Sequence, residues 1–411
     1  MNVDDVLENS VRHDRKPRPK HPKGWEPGVE LGADSGVLVV DPRPVDEGEQ
    51  INPDAEPWDS HLREAGLDPA EVEVVPPVEV RTWDAMIKNQ FTQEMVVRKM
   101  VYFRARIIRR DRFQFDEQLR DWVRKWKPRK ARQDPVGDRS LVVVWSDPQI
   151  GKDDGDGTRG TVHRWTNSHG MVQDRWRELR KAGVELDRIM VASLGDIVEG
   201  CSGHYAQQSY RVQLNEREQR RTARLCIVAG LKAFSDVAPV VDVLPVGGNH
   251  GEVRSGGQSF TDFADNVDVA VYEDAADLLA ENDRFDNIKF HIPRSDLTQT
   301  IDLHGTIVGL AHGHQARGGG KPAQKIEAWW QGQMKGRQPV GDADILLTGH
   351  YHHLIVQQVG PRTHMQAPAL DGGSEWWVNI SGLDSPAGVL TFTVGEDGWD
   401  HLKVLPAPRD Q

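Results

Sequence analysis

Ile345-Leu346-Leu347-Thr348-Gly349-His350-Tyr351-His352 sets an apolar run of strand character against a glycine and two histidines. It is the last of five short motifs in fixed order. The others are Asp147-Pro148-Gln149, Gly195-Asp196, Gly248-Asn249-His250 and His312-Gly313. Each follows an apolar run that reads as a strand. Those at 141–145, 189–194 and 240–246 are short enough to be buried strands. Between them Trp165, His169, Val172, Trp176 and Leu179 recur at helical spacing, and a second helical stretch covers about 215–234. Residues 287–311 and 343–404 read as β-rich. This alternation is consistent with an α/β fold.

The motifs supply Asp147, Gln149, Asp196, Asn249, His312, His350 and His352, a mixed oxygen and nitrogen set suited to two divalent metals. Two such ions lower the pKa of a shared water and neutralise the oxygens around phosphorus. The ligands need a rigid frame, and strand ends provide one. Gly195 and Gly248 lack a Cβ and permit tight turns into the site. Asp196, directly after its glycine, is the natural bridging carboxylate. Singly, each motif has a plain alternative: Asp147 as a loop cap, Asn249 and His250 as turn residues. The fixed order of all five is what indicates a binuclear metal hydrolase.

These residues resemble the calcineurin-like metallophosphoesterase superfamily over roughly residues 141–400. The resemblance implies a four-layer αββα sandwich, two mixed sheets face to face with helices outside. It implies Asp147, Gln149 and His352 on a first metal, Asp196 bridging, and Asn249, His312 and His350 on a second. His250 would sit over the site to stabilise transferred charge or protonate the leaving oxygen, and Glu199 would orient it. The motif order and N-terminal extension also resemble phosphoesterases encoded by bacteriophages and actinobacteria.

Three departures from that pattern carry information. Gln149 stands in the usual His position, and its hard amide oxygen favours Mn²⁺, with Fe, Zn and Mg also compatible. Gly200 stands where protein-serine/threonine phosphatases carry a phosphate-clamping arginine, which argues against a phosphoprotein substrate. Gly251 follows the Asn-His pair, displacing the expected acid to Glu252. The reaction implied is hydrolysis of a phosphate ester, with phosphodiesters and nucleic-acid ends leading. A small-nucleotide phosphodiesterase or phosphomonoesterase is the alternative. A nucleic-acid-binding or virion-associated protein with a vestigial metal site is a second.

The chain has 411 residues and a net charge of -12, which excludes a generic polyanion binder. Cys201 and Cys226 offer neither a disulfide framework nor a zinc-finger spacing, which fits a reducing cytoplasm, the host's if the chain is phage-encoded. The first ten residues lack a signal-peptide core, and no apolar run is long enough to span a membrane. Residues 1–50 have the composition of a flexible segment, except that 37–40 suit a short strand. Residues 51–134 read as an accessory α+β region, and 141–405 as the catalytic domain. Within the accessory region 96–108 reads as a strand, with Val101, Phe103, Ala105 and Ile107 on one face and Tyr102, Arg104 and Arg106 on the other.

Between Arg98 and Arg132 stand 14 Lys or Arg against four acids. With Tyr102, Phe103, Trp122 and Trp126, this segment suits a nucleic-acid backbone; the alternative is a solvated face with the tryptophans buried. The loop Arg317-Gly318-Gly319-Gly320-Lys321 lets backbone approach a phosphate, with Arg317 and Lys321 as substrate contacts; a mobile loop is the alternative. His169 reads as packed, His314 and His353 as surface residues, and His204, His291, His304 and His364 as structural. Oligomeric state is not legible.

Overall fold

The computed structural model describes residues 21–407 other than 23, 33–34, 46–48, 70–71, 89–94, 110–112, 128–135, 206–207, 256–257, 260–261, 264, 376–377, 380–381 and 383. Parts of the expected flexible segment, the signal-peptide reading and part of the basic segment lie outside the described residues. The chain divides by contact into two compact units, Met1–Glu117 and Gln118–Gln411.

The first unit is an antiparallel sheet of β1 (Gly28–Leu31), β2 (Ser35–Val39), β3 (Arg43–Pro44), β4 (Val72–Lys88) and β5 (Met95–Arg109), with helix α1 (Trp58–Glu64) between β3 and β4. The short strand expected at 37–40 lies largely within β2. β4 pairs with the whole of β5, from Val72 opposite Arg109 to Lys88 opposite Met95. Its register shifts between Val75 and Val78, where Pro76 and Pro77 have no N–H to donate. Val101, Phe103, Ala105 and Ile107 are buried, as alternation along β5 requires. Tyr102, expected on the opposite, open face, is buried too. Trp83 stacks on its ring at 4.9 Å and Trp25 lies at 5.8 Å, so aromatic cover hides that face locally.

The division falls inside α2 (Phe113–Lys125). The second unit continues through β6 (Arg139–Trp145), α3 (Gly157–Lys181), β7 (Leu186–Ser193), α4 (Glu216–Ser235), β8 (Val240–Pro245), β9 (Arg254–Ser255), β10 (Gln258–Ser259) and α5 (Val267–Leu279). It then forms β11 (Ile288–Phe290), β12 (Thr298–Leu303), β13 (Thr306–Ala311), α6 (Pro322–Lys335), β14 (Ile345–Thr348), β15 (Ile355–Val359), β16 (Arg362–Gln366), β17 (Gly388–Gly395) and β18 (Gly398–Pro406).

Two mixed sheets result, in the orders β11-β8-β7-β6-β17-β18 and β12-β13-β14-β16-β15. Their inner faces share one core: Val142, Val144, Met190, Leu244 and Phe392 from the first meet Val308, Leu310, Leu347 and Met365 from the second. β6, β7 and β8 are parallel and buried on both faces, which is why they read as mostly apolar runs, Asp242 of β8 being paired with Arg188 of β7. α4 starts at a capping box in which Asn215 and Glu218 each accept the other's backbone N–H. Near α2, Leu119 and Val123 are buried, and Trp126 stacks on Phe285 at 4.2 Å. Trp122 stays partly open beside the Lys232 ammonium. No helix among the described residues is long and apolar enough to cross a membrane.

Candidate metal centre

The loops after β6 and β7 run on together beyond the sheet edge. Asp147 N donates to Gly195 O at 3.2 Å, Gln149 N to Asp196 O at 2.9 Å and Ile150 N to Ile197 O at 2.9 Å. Asp147 and Asp196 are thereby set side by side. Gly349 N donates to His312 O at 2.8 Å, which ties the loop after β14 to that after β13. His350 N closes the ring by donating to the Asp147 carboxylate at 3.0 and 3.2 Å.

Backbone strain concentrates here. Asp147, Gln149, Asp196, His350 and His352 have φ of 50°, 43°, 50°, 69° and 57°. A non-glycine residue in that region costs about 1 kcal/mol or more, and such residues cluster where geometry serves a function. Gly195, at φ 86°, and Gly248 bring two loops into contact. A Cβ on Gly195 would strike the backbone of Gly248, and one on Gly248 would strike Asp196 Oδ1.

Asp196, His312 and His350 each offer a ligand atom, all within 4.8 Å of one another. His312 is fully buried, and its Nδ1 donates to Leu194 O at 2.6 Å. Its Nε2 lies 3.1 Å from Asp196 Oδ2 and 3.1 Å from Asn249 Oδ1. A proton on Nε2 satisfies both oxygens, and so would a bound cation that takes the neutral ring's lone pair. Burial alone would lower the His312 pKa, yet Asp196 and Asp147 push it up to about 9. A divalent ion would displace the proton held there. Burial, aided by the His312 ring at 5.0 Å, lowers His350 to about 4, so it is a neutral imidazole fit to ligate. Burial opposes the ionised form of Asp196, but His312 and His250 hold its pKa well below the usual range. This donor set fits a divalent metal.

Asp147, Gln149 and His352 come together through two residues that sequence reasoning missed, Lys152 and Asp371. His352 Nε2 lies 3.2 Å from Asp147 Oδ1, and its Nδ1 3.4 Å from Asp371 Oδ2. Lys152 Nζ donates to Asp371 Oδ2 at 2.5 Å and to Gln149 Oε1 at 2.8 Å. A carboxylate behind an imidazole is the arrangement that orients metal-binding histidines. Burial would lower His352, but Asp371 and Asp147 drive it up to about 10. Lys152 follows Gln149 by three residues and had a local signal. Asp371 is 219 residues from Lys152 and had none.

His250 N donates to Asp196 Oδ1 at 2.8 Å. Its Nδ1 donates to Glu199 O at 2.9 Å and lies 3.3 Å from Glu199 Oε2. Burial would lower His250, but Asp196 and then Glu199 push it up to about 9. Tyr205 donates to Glu199 Oε1 at 2.7 Å. His204, read as merely structural, stacks on His250 at 4.9 Å with 11° between the rings.

Asp268 was also missed. It is fully buried and accepts the backbone N–H groups of Asp196, Ile197, Val198 and Gly248 at 2.8, 2.9, 3.3 and 2.9 Å. Its one signal was local, because Asn266 caps α5 through Asp268 N. Glu252 turns away from Asp196 and binds His314 and Arg254. Arg317 and Lys321 are exposed, and among the described residues neither makes a polar contact to the seven ligand-type residues. Lys321 instead begins α6, its N–H donating to Gln324 Oε1 at 3.2 Å.

No protein-family model and no curated protein matches this sequence. Solved structures do match. The chain is similar to vacuolar protein sorting 29 of Entamoeba histolytica complexed with zinc, at 14% identity and a TM-score of 0.27, over 65% of this chain and 98% of that one. It is similar to a predicted phosphoesterase of Streptococcus pneumoniae at 12% identity and a TM-score of 0.27, over 66% and 99%. It is similar to an archaeal phosphodiesterase at 11% identity and a TM-score of 0.27, over 64% and 99%. Likeness at this level carries no argument about activity, which rests on the side chains.

Proposed function

We propose that this chain hydrolyses phosphate esters with bound divalent metal, and that phosphodiesters are its leading substrates. The observation that carries the reading is the convergence of His312 Nε2, Asp196 Oδ2 and Asn249 Oδ1, with His250 fixed against the same Asp196. In this reading Asp196, Asn249, His312 and His350 hold one ion, and Asp147, Gln149 and His352, backed by Asp371, hold another. Asp196 is shared between them. Bound ions there supply a water of lowered pKa and neutralise phosphate oxygens.

The chain's own groups do the rest. Glu199 and the N–H of His250 fix the imidazole, and Nε2 makes no hydrogen bond among the described residues. That nitrogen is the atom able to hand a proton to a leaving oxygen. The αββα layering implied by the motifs belongs to this reading, with the two facing sheets as its support.

The test is hydrolysis of bis(4-nitrophenyl) phosphate and 4-nitrophenyl phosphate by protein loaded with Mn²⁺, beside protein stripped by a chelator. Turnover that appears with Mn²⁺, vanishes on chelation and is greater for the diester supports the reading. Metal bound without turnover of either ester leaves a vestigial centre. A better monoester rate moves the substrate class.

A further inference from the structure

We infer that Arg254 binds the substrate's phosphate at the mouth of the metal centre, held in place by Glu252; the inference rests on the phosphoesterase reading. Enzymes that bind phosphate tightly often present a planar guanidinium to its oxygens, where two parallel N–H donors match two acceptors. The loop after β7 has no room for one. Gly200 sits at φ 74°, and a Cβ there would meet His250 O at 2.9 Å and His204 Nε2 at 3.5 Å. Any cation must come from another loop.

Arg254 opens β9, at the end of the short turn that follows His250. Its stem passes over Gly203, where a Cβ would lie 3.0 Å from Arg254 Cβ, and Gly203 adjoins the His204 ring stacked on His250. On the other side, Glu252 Oε2 accepts from Arg254 Nε at 2.8 Å and Nη2 at 2.6 Å, while Glu252 Oε1 faces His314 Nε2 at 3.4 Å. The His314 ring lies 5.3 Å from that of His312 and 6.3 Å from that of His350. Arg254 thus lies between Gly203, next to His204, and Glu252, whose other oxygen faces His314. Its Nη1 has no polar partner among the described residues, and its side chain is 22% exposed, whereas His312 is closed to solvent.

The position is built rather than incidental. Glu252 pairs in an isolated bridge with Asn266, whose amide donates to Gly248 O at 2.8 Å. Asn266 also caps the helix that presents Asp268 to the Asp196 loop. One frame therefore sets both the Asp196 loop and the Arg254 guanidinium.

The experiment is calorimetric titration of Mn²⁺-loaded protein with inorganic phosphate, alongside KM and kcat for bis(4-nitrophenyl) phosphate. Arg254→Ala should weaken phosphate binding by about tenfold or more and raise KM more than it lowers kcat, at unchanged metal content. Added guanidinium ion should restore part of the loss, which a packing role would not allow. Arg254→Lys keeps the stem and charge but not the fork, and should recover only part of the affinity; it carries the test if the alanine variant fails to fold. Wild-type phosphate affinity in a folded variant, or no phosphate binding by the wild type, overturns the assignment. Phosphate binding through Arg254 without turnover of any ester removes the phosphoesterase reading and leaves the assignment standing.

Discussion

In the proposed reading His250 has a role separable from metal binding. It touches Asp196 through its backbone N–H, and its ring is committed to Glu199. His250→Ala should therefore retain its metal by elemental analysis. It should lose roughly a hundredfold in rate on an ester with a poor leaving group. A near-wild-type rate on that ester would remove the proton-donor role. His169 gives a second prediction, about stability. Burial against Trp145 and Phe234 lowers its pKa to about 3. The unfolded chain binds the proton near its ordinary pKa of about 6.5. Between those values the unfolded state holds more protons, so stability falls as pH falls, by up to about 1.4 kcal/mol per unit from this group. Urea unfolding of wild type and His169→Asn between pH 7 and 4 should show a shallower slope in the variant; equal slopes would contradict it.

At the scale of elements, the strand-end motifs were legible because buried parallel strands are mostly apolar runs, and the residues that end them break the pattern. Gly247-Gly248-Asn249-His250, after Val240–Pro245 and Val246, is such a break. What supports those ends was not legible. α5 carries Asp268 into the site, yet its sequence, VDVAVYEDAADLL, is largely apolar and acidic and gave no clear periodicity. α6 begins at Pro322, directly after the loop read at 317–321, and the sequence reading assigned no helix there. The burial of Tyr102 on its predicted face was missed because Trp25 and Trp83, which cover it, lie far from it in sequence. Asp371 and the aromatic cover of Tyr102 depend on partners distant along the chain, which local patterning does not encode. The tight approach of two elements at Gly248 is testable. Gly248→Ala should displace Asp196 and cost metal binding while leaving far-UV circular dichroism intact. An alanine variant with full metal content would show that the loops can part.

For the whole molecule the open matter is the substrate's size. We propose nucleic acid as the polymer that carries the ester, because Arg98, Lys99 and Arg106 of β5 are exposed while the chain as a whole is acidic. Arg104 is instead paired with Glu79 at 2.6 Å, so charge reversal belongs at Arg98 and Arg106. Phosphate contacts release counterions, and affinity for DNA or RNA should fall steeply with salt. Arg98→Glu with Arg106→Glu should flatten that slope and spare a small diester. If the salt dependence is unchanged, these residues form a solvated face and small phosphates become the leading substrates.

The ring of hydrogen bonds joining the loops after β6, β7, β13 and β14 has a thermodynamic consequence. Its donors come from both sheets, so an unfolded chain keeps only local pairs such as His350 and His352 with which to hold an ion. Metal would then bind the native state more tightly and act as a folding ligand. Each chain should melt later as free Mn²⁺ rises, gaining about 2.7 kcal/mol at a hundredfold excess over Kd. The melting curve would report affinity without any substrate. A melting temperature indifferent to Mn²⁺ would mean that the strained loops are stable for their own sake, and that the ligands are held apart from the ion they suit.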